Sequence, residues 1–360
     1  MKKILLQVPS PSLANNKIFG ESKTDYNLWR EIKRQFFELG YELITADNNS
    51  IDDCDWIFFY ESTGVDGLDT GHRGLKSQIK RFLGIKTPHN WPIRSLYQEA
   101  VRKGIKDKLV LFLWEGDVVI PQNYKKETLE KFDHVLTWND DLVDNKKFLK
   151  FYWQIPPQTS PPIFPPFSQK KLLVNVSINR YSHHKDELYK ERRKSINYFD
   201  SHIPNDFDLF GLKWNQPVTR IQRMFPWTVK KYKTYGGMIK DKIPVMSQYK
   251  FALCYENRKE INGYITEKIF DCFTAGTVPI YWGASNIEEY VDPSTFIDRR
   301  KFKSNASLAL YIKEMREKDY NEMISAGQRY LVSDKFRMFL SETFSEEIVK
   351  KLETKKGKYS

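Results

Sequence analysis

In the stretch "YENRKEINGYITEKIF", residues 255–270, Glu256, Asn257, Tyr264, Thr266, Glu267 and Lys268 stand between two apolar runs, "YKFALC" and "VPIYWG". Carboxylates, an amide and an ammonium in such a setting need charge partners or hydrogen bonds, and a bound anion or sugar provides both. In "ITEKIFDCFTAG", Ile265, Ile269, Phe270 and Phe273 recur at helical spacing, with Thr266 suited to cap the start and Gly276 to end it. Glu267 and Lys268 then fall in the first turn. The free N–H groups of a helix start attract phosphate, whereas a lysine there opposes the helix dipole; the two agree if an anion lies between them. Glu267 can accept hydrogen bonds from a sugar diol. An exposed ion pair on a surface helix would account for Glu267 and Lys268 taken alone. The loop before them favours a ligand, because Glu256 and Asn257 follow a fully buried strand, and α/β folds bind ligands at strand carboxyl ends. "VPIYWGASNIEEY" repeats the arrangement, with a buried strand, Gly283, then Ser285 or Asn286 as a cap. Two helix starts at neighbouring strand ends would cradle a diphosphate.

The elements that position these residues follow from periodicity. "ILLQV" (4–8), "YELITA", "WIFFY" (56–60), "KLVLFLW" (108–114) and "HVLTW" read as strands. Between them, Trp29, Ile32, Phe36, Phe37 and Leu39 mark a helix closed by Gly40, "SLYQEAVRKG" (95–104) another, and "NYKKETLEKF" a short third. Residues 62–92, with their glycines, Pro88 and Pro92, read as a long functional or mobile loop. "IPPQTSPPIFPPFSQ" (155–169) holds six of the 17 prolines and reads as a stiff connector. After it come the strand "KLLVNVSI" (171–178), a charged helix around 184–200, the strands "FDLFG" and "KFALCYE", the helix through "TEKIFDCFTAG" and the strand "TVPIYWG". Strands alternating with helices predict mostly parallel α/β sheets, and two such domains around a linker leave a cleft for ligands.

Composition narrows the function classes. With 40% hydrophobic and 15% aromatic residues the chain can bury a large core, which excludes disorder. The N-terminus is too short in apolar residues for a secretory segment, and no run approaches a membrane helix; a cytoplasmic protein is expected. Cys54, Cys254 and Cys272 lack metal-ligand spacing and fit a reducing compartment. The net charge of +12 favours anionic partners. The tail "KKLETKKGKYS" concentrates five lysines against one glutamate, either as a solvated terminus or, through Lys350–Lys358, as a contact with an anionic membrane at its inner face. Asp206-Phe207-Asp208 mimics an Asp-x-Asp metal site, but turn or cap duty accounts for both acids, and the six histidines show no zinc spacing. No metal is expected. A nucleic-acid-binding protein is disfavoured because the aromatics follow core patterns, and a sugar-binding module without catalysis is the third class considered.

"YKFALCYEN", "GYITEKIFDCFTAGTVPIYWGASNI" and "FIDRRKF" together resemble the donor-binding motif of glycosyltransferase family 10, the α-1,3/4-fucosyltransferases, over about 50 residues. "LVLFLWEGDVVIP" resembles the segment with the family's catalytic carboxylate, "HVLTWNDDL" the strand after it, and "YKERRKSINYF" the helix bearing a phosphate-binding arginine. The resemblance implies an α/β GT-B fold, two Rossmann-like domains facing a cleft, with no metal or cofactor beyond the donor substrate GDP-fucose. It implies an acceptor-binding domain over 1–154 carrying the general base, the linker 155–169, a nucleotide-sugar domain over 170–340 and a basic tail over 341–360. Residue by residue it implies Glu115 as the general base, with Asp117 as substitute, and Lys268 and Arg193 against the diphosphate, with the adjacent Arg192 as the alternative. Asn257, Tyr264 and Glu267 would contact donor sugar, ribose or phosphate, and Glu256 would orient the loop. Gly283, Ser285 and Asn286 are further candidates. The loop "ENRKEINGYITEK" differs slightly in length from the best-known bacterial members, which touches Arg258 to Ile261 more than Tyr264 onward. The implied partners are a nucleotide sugar and an oligosaccharide or glycolipid acceptor, for surface polysaccharide or lipopolysaccharide synthesis; no nucleic acid is expected.

Overall fold

Two sheets of parallel strands organise the chain, as its alternation of apolar runs and amphipathic stretches predicts. The computed structural model describes residues 1–20, 28–62, 65, 95–155 and 164–356. They fall into two units, Met1–Pro157 with Phe339–Ser360, and Gln158–Met338. The loop expected over 62–92 lies almost wholly outside the described residues, as does 156–163 of the proline-rich stretch.

In the first unit the strands are β1 (Lys2–Gln7), β2 (Tyr41–Thr45), β3 (Trp56–Tyr60), β4 (Leu109–Leu113), β5 (His134–Thr137) and β6 (Phe148–Lys150), in the order β2-β1-β3-β4-β5-β6. All five residues of β4 are buried, as expected of a parallel strand covered on both faces. The helix Leu28–Glu38 buries Trp29, Ile32 and Phe36, and Gly40, at φ +83°, turns the chain into β2. The final helix, Ser341–Lys356, belongs to this unit: Ser345 Oγ lies 3.2 Å from Gln35 Oε1, and Tyr41 Oη donates to Glu353 Oε1 at 2.6 Å. The stretch read from sequence as a basic tail is therefore structured up to Lys356, and Lys351 Nζ is turned inward onto the Lys150 carbonyl at 2.7 Å. The end of the Lys350–Lys358 run lies outside the described residues.

The second unit contains β7 (Lys171–Val176), β8 (Phe207–Phe210), β9 (Tyr249–Tyr255), β10 (Val278–Trp282) and β11 (Ile297–Asp298), in the order β11-β10-β9-β7-β8. Its core gathers Leu173, Ile196, Phe199, Phe251, Val278, Ile280 and Leu308. From β7 the chain moves to β8 on one side and returns to β9 on the other, so the strand order reverses between β7 and β9. In the first unit it reverses between β1 and β3. Such reversals open a crevice at the carboxyl ends of the strands, where doubly wound folds bind ligands.

Local differences from the sequence reading have identifiable causes. The helix expected around 184–200 runs Tyr189–His202, because the residues before it pair with the loop after β9: Lys259 N–H donates to Asp186 O at 3.0 Å and Leu188 N–H to Asn257 O at 3.0 Å. The helix expected in "NYKKETLEKF" shrinks to Lys126–Leu129 after a tight turn at Pro121–Tyr124. Both acids of the Asp-x-Asp stretch have protein partners, Asp206 in Lys313 at 3.3 Å and Asp208 in Tyr249 Oη at 2.7 Å and Lys171 at 2.8 Å. Among the described residues no group of three or more His, Cys, Asp or Glu side chains could hold a metal, and no helix is long and apolar enough to cross a membrane.

Candidate functional site

The polar cluster of the second unit forms where β9 ends. Glu256 N–H still donates to Trp282 O at 2.8 Å, so the residue is held at the sheet edge, and its side chain is 0% exposed. A carboxylate there requires donors, and the next turn provides them. Thr266 N–H donates to Glu256 Oε1 at 2.9 Å, Thr266 Oγ1 lies 2.9 Å from both carboxylate oxygens, and Lys268 Nζ reaches Oε2 at 2.8 Å. Room for the carboxylate comes from Gly283, where a Cβ would lie 2.5 Å from Glu256 Cγ and 2.4 Å from Tyr281 Oη.

This corrects the reading of Thr266 as an ordinary helix cap. It occupies the N-cap position of the helix Glu267–Thr274, but its hydroxyl accepts no backbone N–H of the helix; it serves Glu256 and the Lys268 ammonium. It also resolves the misplaced lysine, since the anion that Lys268 meets at the helix start is a carboxylate of the chain itself. Burial works against the Lys268 charge, yet Glu256 and Glu267 outweigh it and hold the ammonium above its usual range. Glu267, 3.8 Å from Lys268, is likewise penalised by burial but kept below the usual carboxylate range by Lys268 and Lys242. Burial pushes Asp271, one turn further, up to about 7 against its ion pair with Lys242. Lys268 keeps 27% of its side chain exposed, and Glu256 and Thr266 occupy two of its three N–H groups, so one is left to meet a ligand.

The remaining candidates separate by burial. Arg192 is buried and donates to the carbonyls of Tyr255 and Glu256, which pins the end of β9. Arg193, one residue on, turns outward and lines a pocket of about 180 Å³ with Asn179, Tyr181, Trp214, Gln222 and Tyr232. Asn179 follows β7, so the pocket opens beside the β7–β9 reversal, and its buried Oδ1 has no hydrogen-bond partner among the described residues. Asn257 is half-buried and donates to Tyr264 Oη at 3.3 Å; Tyr264 itself is buried. Ser285 is exposed. Neither Ser285 nor Asn286 caps a helix through its side chain: the helix Ile287–Tyr290 is a single turn, and Asn286 accepts from Gly263 N–H at 2.9 Å while donating to Glu289 at 3.0 Å. The expected pair of helix starts is thus one helix start and one loop clamp.

In the first unit Glu115 follows β4 at the carboxyl edge of its sheet. Its backbone is fixed on both sides, with N–H donating to Glu61 Oε1 at 2.7 Å and C=O accepting from Tyr124 Oη at 3.0 Å. Glu61 went unnoticed in the sequence. It sits at the β1–β3 reversal, 2% exposed, in a left-handed conformation (φ +69°) uncommon for glutamate, and Asn123 Nδ2 donates to its other oxygen. Burial pushes its carboxyl well above the usual range. Glu61→Ala strands the Glu115 N–H and the Asn123 amide, and is expected to cost about 1–3 kcal/mol. Chemical denaturation of this variant against Glu61→Gln, which keeps an acceptor for Glu115, measures that cost.

Comparison with known proteins follows this geometry. A sequence profile described as "Glycosyltransferase family 10 (fucosyltransferase) C-term" matches residues 168–343, the span of the β7–β11 sheet and its helices. An α-(1,4)-fucosyltransferase of Arabidopsis thaliana is 32% identical over 152 residues, 42% of this chain and 35% of that protein. The α-(1,3)-fucosyltransferase FucT of Helicobacter pylori is 41% identical over 80 residues, 22% of this chain and 16% of that protein. These matches span about a third or less of the relatives' own length. A solved α1,3-fucosyltransferase with GDP-fucose superposes with a TM-score of 0.52 at 16% identity, covering 98% of this chain and 90% of that one. The two parallel sheets are those of a GT-B fold. Over residues 168–343, just under half of the chain, the match is to glycosyltransferase family 10, the fucosyltransferases, the family whose donor-binding motif the sequence resembles.

Proposed function

We propose that the chain transfers L-fucose from GDP-β-L-fucose to a hydroxyl of an acceptor glycan, in α-1,3 or α-1,4 linkage, with inversion and without a metal ion. The observation that carries this reading is the partly exposed Lys268, held charged at a helix start and at a strand end inside the segment shared with fucosyltransferases. Lys268 and Arg193 neutralise the diphosphate. Tyr181 and Tyr232 line the space for the guanine, with the buried Trp214 packed edge-on behind Tyr232, and the unpartnered Asn179 Oδ1 accepts from its N–H groups. Asn257 and Glu267 take donor hydroxyls, with Tyr264 fixing Asn257 from behind. Glu115 accepts the proton of the acceptor hydroxyl as its oxygen bonds to the anomeric carbon. The bond from that carbon to GDP breaks with its electron pair, and the charge gathering on GDP meets Lys268, Arg193 and the helix start. The acceptor is read as an oligosaccharide or glycolipid in surface polysaccharide or lipopolysaccharide synthesis at the cytoplasmic face, with Lys350–Lys358 near anionic lipid.

Calorimetric titration with GDP-fucose, GDP-mannose and UDP-glucose tests the donor. GDP-fucose is expected to bind most tightly, and GDP release with a fucosyl acceptor present is expected to survive EDTA. Tighter binding of UDP-glucose would reassign the donor, and loss of turnover in EDTA would remove the metal-free mechanism.

A further inference from the structure

The stretch that lends Thr219 and Gln222 to the pocket also holds side chains that the core does not take up. Ile221 is 66%, Met224 61% and Trp227 78% exposed, and Phe225 and Met238 are exposed as well. Singly exposed apolar residues are ordinary; four within residues 221–227, one of them a tryptophan, form a patch. The charge of this stretch is one-sided. From 219 to 240 the sequence has no acidic residue. Arg220, Arg223, Lys231, Lys233 and Lys240 are all exposed and form no ion pair among the described residues. Some exposed cations elsewhere on this unit have partners, as Lys194 has Glu191, Lys313 has Asp206 and Arg316 has Asp319, while others such as Lys213 and Lys303 form no ion pair among the described residues; what sets 219–240 apart is the clustering of such cations beside exposed apolar side chains with no acid among them.

We propose that this surface, the helix Arg220–Met224, the turn Pro226–Thr228 and the lysines after it, docks on an anionic phospholipid bilayer. Ile221, Met224, Phe225 and Trp227 enter the boundary between headgroups and acyl chains, and the arginines and lysines meet the lipid phosphates. Tryptophan is at home at that depth, and unpaired cations beside apolar side chains suit a negatively charged interface. Single-stranded nucleic acid also combines cations with aromatic rings, but bases stack on flat rings, and Ile221, Met224 and Met238 offer none. A five-residue helix and a turn can lie in such an interface but not cross it. Because Thr219 and Gln222 belong to the same stretch, the docked surface adjoins the Arg193 pocket.

The test is co-sedimentation of the full chain with vesicles. Binding is expected to phosphatidylcholine–phosphatidylglycerol vesicles and not to phosphatidylcholine alone, and to weaken in about 1 M salt, where screening reaches within ~3 Å. Arg220→Glu/Arg223→Glu is expected to weaken vesicle binding about tenfold or more. Ile221→Ser/Trp227→Ser should weaken it comparably, with melting temperature and GDP-fucose titration unchanged in both variants. Equal sedimentation of variants and wild type would overturn the proposal and move any lipid contact elsewhere, Lys350–Lys358 included. Preferential capture of a single-stranded oligonucleotide would overturn it in favour of nucleic acid. Self-association that the variants abolish, without vesicle binding, would overturn it in favour of a second copy of the chain.

Discussion

Glu115→Gln is expected to abolish fucosyl transfer while GDP-fucose still binds as it does to the unaltered chain. A sugar hydroxyl is a weak nucleophile, and a positioned base contributes typically 10²–10⁴-fold to such a step, so turnover should fall by about that factor. The substitution targets the proton transfer because the backbone of residue 115 is held on both sides. Its N–H reaches Glu61 and its carbonyl receives the Tyr124 hydroxyl whichever side chain follows. Glutamine keeps the shape and loses only the capacity to take a proton. The donor residues lie in the second unit, so titration of GDP-fucose should give the same affinity for both forms. Single-turnover kinetics beside calorimetry measures the two halves. Full turnover in Glu115→Gln would remove Glu115 as the base and direct attention to Asp117, two residues on.

How much was legible in the sequence depended on whether the cause of each feature is local. β4 and β10 announce themselves as unbroken apolar runs and β9 as one interrupted only by Lys250, because a central parallel strand is buried on both faces. The helix Glu267–Thr274 shows its apolar spacing in the sequence, which puts Glu267 and Lys268 in its first turn. What those residues bond to was not local. The Glu256–Thr266–Lys268 cluster joins positions ten and twelve apart through a loop, and Gly283 makes space for it from the next strand. The start of the helix Tyr189–His202 slipped because residues 186–188 pair with the loop 257–259, about 70 residues away in sequence. Glu61 escaped for a different reason. It follows the apolar strand "WIFFY" just as Glu256 follows "YKFALCY", so the strand-end rule that singled out Glu256 would have found it. Its left-handed backbone and its hold on Glu115, however, come from β4 and Asn123, which only the fold assembles. Residues 211–247 gave no strong periodicity, and they fold into short helices and turns whose apolar side chains remain largely outside the core.

Lys268→Met is expected to remove donor binding and to destabilise the second unit at the same time, and a second substitution separates the two effects. Methionine keeps the bulk of the side chain but leaves the Glu256 carboxylate, 0% exposed, with only the Thr266 donors. Removing one partner of a buried ion pair costs typically 3–5 kcal/mol; Lys268 retains contact with solvent, so about 3 kcal/mol is expected here. The raised affinity of Lys268 for its proton gives a contribution that is complete below about pH 10.4, the unfolded value, and is lost only as the pH climbs through the higher folded value. Denaturation at neutral pH therefore reads the whole of it. In Lys268→Met/Glu256→Gln the stranded charge is gone, and the amide oxygen introduced at position 256 still accepts from Thr266. Stability should return most of the way to that of the unaltered chain. Donor affinity should not return, because the diphosphate has lost the cation whether or not position 256 is charged. If the double variant regains GDP-fucose binding, Lys268 serves only to neutralise Glu256 and the diphosphate is held elsewhere. If it regains neither stability nor binding, the cluster depends on the Glu256 charge itself, and the pair must be regarded as one structural unit at the end of β9.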